Sequence, residues 1–316
     1  MLDYALLAAL AAVVRTGSFE RAAAQLHVTP SAVSQRVKLL EERMGTILVV
    51  RGSPCTGTPA GLRLSQHAER VALLESELRD GLPGVPQDGP AVTVRMAVNA
   101  DSLATWFVAA MAGTPDVLFD LVLDDQEHSA DWLRRGEVLA AVTSGAQPVQ
   151  GCDSTPLGAL RYVATASPDF LRRHFPDGVE AASLARAPRL TYNSKDRLQT
   201  QWTRQAFGVE IASPTHWMPS THAFVDAALA GLGWGMNPEP LVAGALRDGR
   251  LVALVPGQPL DVPLFWQRSR IASRTLADIT RSVLTTARAR LTQAALDHDG
   301  GPGRTCGRSP PANEAM

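Results

Sequence analysis

Apolar residues near the start of the chain recur at helical spacing. Leu6, Leu10 and Val13 share one face, and Gly17-Ser18 then supplies a stop followed by an N-cap. A second helix is predicted from Phe19, with Ala22, Ala23 and Leu26 on its apolar side, ending at His27-Val28. Thr29 can cap a third helix that takes Pro30 at its first position, where the missing N–H of proline costs nothing. Along this third helix Val33, Val37, Leu40 and Met44 define a core face, while Ser31, Ser34, Gln35, Lys38 and Glu42 lie opposite and are left to touch something else. After Gly45, Ile47 to Arg51 reads as a short strand, and the turn-rich stretch from Gly52 to Pro59 returns from it as a wing.

From Pro59 to Asp80 the pattern changes to a long helix in which Leu64, Val71 and Leu78 stand a heptad apart with Leu74 between them. Such a stripe suits pairing with a second helix; its plainer reading is an intrachain core. Gly81 ends the helix, and the prolines and glycines up to Pro90 mark a linker. Beyond it Val92, Val94, Met96 and Val98 alternate as a strand, and Asp101-Ser102 cap a helix from Leu103 to about Met111. Further strands are predicted over 118–123, 140–143, 162–166, 189–192, 216–219, 233–236 and 264–267. Helices are predicted over 168–175, 198–207, 224–230 and 275–295. Strands alternating with helices imply an α/β sheet with crossover connections.

Composition sets the bounds. At 316 residues the chain exceeds the roughly 250 at which single cores stop growing, so two or three units are expected. A net charge of −1 provides no overall attraction to nucleic acid, so any DNA binding must come from a local basic surface. No run reaches the roughly 20 apolar residues of a membrane span, and Asp3 precedes the opening apolar run, so neither membrane association nor a secretory leader is expected and the cytoplasm is the expected compartment. Cys55, Cys152 and Cys306 form no C-x-x-C pair and have no histidine at ligand spacing, so they read as reduced thiols, with no metal and no cofactor.

The polar face of the third helix has the chemistry of a base reader. Glutamine can pair bidentately with adenine in the major groove and serine can donate or accept, which fits Ser31, Ser34, Gln35 and Lys38 next to the capping Thr29. Arg36 and Arg51 suit phosphate contacts, which position without specifying. The string Gly17-Ser18-Phe19-Glu20-Arg21-Ala22-Ala23-Ala24-Gln25-Leu26-His27-Val28-Thr29-Pro30-Ser31-Ala32-Val33-Ser34-Gln35-Arg36-Val37-Lys38-Leu39-Leu40-Glu41 closely resembles the helix-turn-helix signature of LysR-type transcription regulators. So does its continuation, Gly45 with Leu48-Val49-Val50-Arg51 and Thr58-Pro59-Ala60-Gly61. The resemblance implies a DNA-binding regulator of multidomain architecture: an all-α winged helix-turn-helix domain (1–58), a dimerisation helix (59–81), a hinge (82–91), and an α/β effector-binding domain (92–296). That domain would be two-lobed and like a periplasmic binding protein, with lobe I at about 92–160 and 260–296 and lobe II at about 161–259, followed by a disordered tail (297–316). It also implies that the helix after the wing pairs two subunits through Leu64, Val71, Leu74 and Leu78, and that dimers join as a homotetramer.

In the sensing half, Asn99, Ala100, Asp101 and Ser102 follow the carboxyl end of one strand and Asp124, Asp125 and Glu127 that of the next, so acidic groups would share a rim where an open sheet binds ligands. Carboxylates there favour a cationic ligand. Asp101 as a simple cap and the acidic run as a solvated loop remain the plainer alternatives. Asn99 to Trp106, Ala141-Val142-Thr143 and Gly231 to Met236 resemble the LysG/ArgP subgroup, which implies a basic amino-acid effector (lysine, arginine or histidine) and control of an amino-acid exporter or related gene. On that basis Asp101 or Asp125 would meet an ammonium group, with Asn99 beside them, and Ser102, Thr143 and Thr221 would hold the α-carboxylate. His222 stands where the subgroup leads one to expect an acidic residue.

An enzyme is the first rival class. Gly231, Gly233 and Gly235 suggest a dinucleotide loop, but the glycine that should follow is missing, and Pro238 and Pro240 are expected to keep a helix from opening there. Neither G-x-S-x-G nor H-E-x-x-H occurs. A transport binding protein would share the two-lobed pattern but not the DNA module. An architectural DNA protein would lack an effector.

Overall fold

The computed structural model describes residues 2–80, 82, 92–123, 129–271 and 273–293. The expected hinge beyond Leu82, the expected tail, and Asp124, Asp125 and Glu127 lie outside them.

The N-terminal unit follows its capping signals. Helix α1 (Tyr4–Thr16) starts on the Asp3 carboxylate, which accepts from the N–H groups of Ala5 and Leu6, and α2 (Phe19–Gln25) starts on Ser18. α2 stops before the expected His27-Val28, because His27 takes a left-handed conformation (φ 53°) that lets Val28 N bond back to Ala23 O. α3 (Pro30–Met44) opens with Thr29 Oγ1 accepting from Ala32 N and Pro30 in its first turn. Val33, Val37 and Leu40 are buried with Leu7, Leu10, Val13, Ala22 and Leu48; Met44, expected in that core, is exposed beyond its end. The strand expected over 47–51 shrinks to β1 (Val49–Val50), paired antiparallel with β2 (Thr56–Gly57) as a short wing.

Helix α4 (Pro59–Asp80) runs from the wing to the second unit. Leu64 packs against the core of the DNA unit, Val71 is half-buried, and Leu74 and Leu78 are 41% and 63% exposed. At its far end Glu77 Oε1 accepts from Ser273 Oγ (2.6 Å) and Thr275 N (2.8 Å).

The second unit begins with β3 (Val92–Val98). The helix after it starts earlier than expected, as α5 (Ala100–Ser102), continues through a π-helical segment (Leu103–Phe107), and ends as α6 (Val108–Ala112). Then follow β4 (Val117–Leu123), α7 (Ser129–Arg134), β5 (Ala140–Thr143), β6 (Cys152–Ala166), α8 (Pro168–His174), α9 (Ala181–Leu184) and β7 (Arg189–Thr191). The chain continues through α10 (Leu198–Phe207), β8 (Thr215–Trp217), α11 (Thr221–Leu229), β9 (Gly235–Pro238), α12 (Glu239–Arg247), β10 (Val252–Ala253), β11 (Leu260–Ser269) and α13 (Arg274–Arg290). The sheet runs β10-β6-β11-β5-β3-β4 with β9 also on β6; β3 is parallel to β4 and β5, and the other pairs are antiparallel.

The strand expected over 162–166 is therefore the end of a much longer one. Cys152 to Tyr162 pair with β11 and Tyr162 to Ala166 carry β9 and β10, so β6 and β11 join the two lobes. The register shifts between Leu264 and Phe265 opposite Gly158, whose φ of 113° suits glycine; a Cβ there would also stand 2.9 Å from Thr292 O.

Another expectation fails at α12. It opens at Glu239 directly after Pro238, with Pro240 in its first turn, where no intrahelical N–H is required. Gly231 and Gly233 precede strand β9 and Gly235 opens it, so the three glycines do not follow a strand into a helix and form no phosphate loop.

Candidate DNA-contact helix and effector cavity

The face of α3 away from the core carries exposed Ser31, Gln35 and Lys38, with Ser34 and Arg36 half-buried. Thr29 is committed to its cap and lies 3.0 Å from Ser31 Oγ. Lys38 meets Glu42 at 3.8 Å, an exposed pair that salt and a phosphate can readily displace. Arg51 is exposed at the wing, its guanidinium 5.4 Å from the Phe19 ring centre, which ties the wing to α2. Serines, an amide and cations thus lie on one helix and its adjoining wing, as major-groove reading requires.

In the second unit a cavity of about 270 Å³ opens between the lobes, close to the lower end of the roughly 300–1,000 Å³ usual for small-molecule sites. Asn99 and Asp101 reach it from the start of the helix after β3, and Thr221 reaches it from the start of α11. Asp101 joins these parts: Thr221 Oγ1 donates to its Oδ1 at 2.8 Å, and Tyr162 Oη donates to its Oδ2 at 2.8 Å.

Three other expected residues sit elsewhere. Ser102 is fully buried behind the lining, and His222 is exposed outside it. Thr143 turns inward, donating to Gly145 O and accepting from Gln267 Nε2, so that Ser144 rather than Thr143 lines the cavity. Asp125 lies outside the described residues.

The cavity also uses residues that sequence reasoning missed. Lys195, Asp196 and Arg197 come from the turn before α10, and Asp261 comes from β11. The turn is well built: Asn193 Oδ1 accepts from the N–H groups of Lys195 and Asp196, while Asp196 accepts from Tyr192 N and Leu198 N. Its Asn-Ser-Lys-Asp string was the available signal. Asp261 is held by two 2.8 Å bonds from Arg161; these bonds, against a smaller opposing effect of burial, raise the guanidinium above its usual range. The cavity therefore presents both carboxylates and cations, the pairing a zwitterionic ligand needs.

A winged helix-turn-helix joined by one long helix to a two-lobed unit, with a cavity lined by charged and apolar side chains, has the parts of a DNA-binding regulator with a small-molecule site. Comparisons with known proteins make this specific. Residues 4–62 match the model for the bacterial regulatory helix-turn-helix protein of the lysR family, and residues 87–288 match the LysR substrate binding domain. The chain belongs to the LysR family of bacterial transcription regulators. It is 50% identical over 282 residues to the HTH-type transcriptional regulator LysG of Mycobacterium tuberculosis, covering 89% of this chain and 92% of LysG. Identity to the regulator ArgP of Pseudomonas aeruginosa is 47% over 290 residues, covering 91% and 96%. Among solved structures, the crystal structure of ArgP from M. tuberculosis superposes with a TM-score of 0.77 at 48% identity, covering 93% of this chain and 100% of that one. Full-length LysG from Corynebacterium glutamicum with bound effector Arg gives 0.66 at 36% identity, covering 92% and 100%. The chain is thus a DNA-binding regulator with an effector domain and not an enzyme. Among the described residues no helix is long and apolar enough to cross a membrane.

Proposed function

We propose that this regulator senses a basic amino acid, arginine or lysine foremost, in the cavity between its lobes and controls an amino-acid exporter or related gene, acting in the cytoplasm. The observation that carries this reading is the Asp101 carboxylate, which lines the cavity from the first lobe and is bonded to Thr221 of the second. A ligand cation that meets Asp101 while its carboxylate lies near Lys195, Arg197 and the start of α11 would draw the lobes together. The relative solved with effector Arg supports the same ligand class. Calorimetry of the full chain against the twenty amino acids tests it: arginine, lysine or histidine should bind and neutral or acidic ones should not. Binding confined to acidic or neutral ligands would overturn it.

The closure signal has a physical route, since α4 carries the DNA unit and is fastened to the sensing unit through Glu77 and through Gln66 Nε2, which donates to Arg135 O. Exposed Leu74 and Leu78, with Val71, supply the apolar stripe through which two α4 helices would pair, and dimers would then join as a tetramer.

On DNA, Gln35 would read base edges with Ser31, Ser34 and Lys38 while Arg36 and Arg51 hold phosphates. Gln35→Ala should weaken binding to a promoter fragment that the unmodified chain binds specifically by about 1–3 kcal/mol and leave the salt slope of nonspecific binding intact. Anisotropy titrations on both DNAs check this; an equal loss on both would remove Gln35 from base reading.

A further inference from the structure

Tyr162 has no part in the DNA-contact helix and does not line the cavity; it is fully buried behind the cavity wall. Its backbone is held on both sides, paired with Leu260 of β11 and with Pro238 of β9, just beyond Gly158, where the two long strands pass between the lobes. Burial, then the charge of Asp101 and the bond to it, push the phenol well above the usual tyrosine range, so the hydroxyl keeps its proton. A buried tyrosine needs some partner for its O–H. Here that partner is not a backbone carbonyl but the Asp101 carboxylate, which reaches the cavity from the helix after β3.

We propose that Tyr162 is a positioning residue for effector recognition: from β6, which passes between the lobes, it holds the Asp101 carboxylate in the orientation that receives the cationic group of the ligand, acting through Asp101 without touching the ligand. The proposal rests on the basic amino-acid reading above. A carboxylate offers about four acceptor sites, so hydroxyl donors orient it without removing its charge. Because Tyr162 and Thr221 approach different oxygens, together they fix both the tilt and the rotation of the group.

Phenylalanine fills the same space without the donor, so Tyr162→Phe in the full chain isolates the hydroxyl. Arginine affinity by calorimetry should fall about tenfold, roughly 1.4 kcal/mol. In an Asp101→Asn background the same change should alter affinity by less than about twofold, because the group it positions is gone. Affinity within twofold of the unmodified chain would show that the hydroxyl only fills space, and the same loss in both backgrounds would show that it acts independently of Asp101; either overturns the proposal. If the unmodified chain binds no basic amino acid, the effector reading itself fails, and this proposal with it.

Discussion

Replacing Gly61 by alanine is expected to pull the wing away from α4 and to lower the thermal midpoint of the DNA unit by more than about 10 °C. Gly61 lies in the first turn of α4, where a Cβ would stand 1.9 Å from the carbonyl oxygen of Leu48 and 2.9 Å from its carbon. No side-chain rotation relieves that clash, because the obstacle is backbone. The carbonyl is itself in use, accepting from Thr58 N at 2.9 Å, and Leu48 is buried in the helix-turn-helix core beside the start of β1. Overpacking costs about 1–3 kcal/mol where side chains can yield; here the strand or the helix must move, so a loss at the upper end is expected. Gly45 is the control. It closes α3 with φ 67°, but a Cβ there meets nothing within 4 Å, so Gly45→Ala should cost only the conformational strain of about 1–2 kcal/mol. Scanning calorimetry of both variants with DNA titrations checks the contrast. A Gly61→Ala midpoint no lower than that of Gly45→Ala would show that the wing is not seated on α4 as described.

That contrast follows from how the sequence specifies each region. The helix-turn-helix was readable because its instructions are local: Ser18 and Thr29 cap, Gly17 and Gly45 terminate, and Val33, Val37 and Leu40 repeat at helical spacing. The close approach at Gly61 was not readable, because it depends on a strand that folds back from Leu48. In the sensing unit, β5 shows the limit of pattern reading: Ala140 to Thr143 are all buried, so no alternation tells which side faces the cavity, and the sequence points to the inward-turned Thr143 instead of Ser144. The length of β6 was hidden for a related reason, since its first half serves one lobe and its second half the other. Asn99 and Asp101 are legible as cavity residues because the end of a parallel strand is a general place for ligands. Asp261 and the Lys195 turn reach the same cavity from far along the chain, and no spacing rule connects them.

Asp101→Asn is expected to cost the full chain about 1.5–3 kcal/mol in affinity for arginine or lysine, roughly 10- to 150-fold. The substitution keeps the size of the side chain and removes its charge, so the ligand cation would lose its charge-assisted partner. It also disturbs the donors: an amide offers one oxygen where the carboxylate offered two, while Tyr162 and Thr221 approach different oxygens at 2.8 Å. One hydroxyl must then turn and accept from the amide N–H, which a rotor can do, so the ligand-free thermal midpoint should fall far less than the stabilisation by arginine. The two effects separate in one experiment, a thermal melt with and without ligand, because ligand stabilisation depends on affinity while the ligand-free midpoint depends on the fold. Arginine stabilising Asp101→Asn as much as it stabilises the unmodified chain would remove Asp101 from the binding site. The interlobe bond to Thr221 would then stand as a structural tie, and the search for the cation partner would move to Asp196 and Asp261 on the cavity wall.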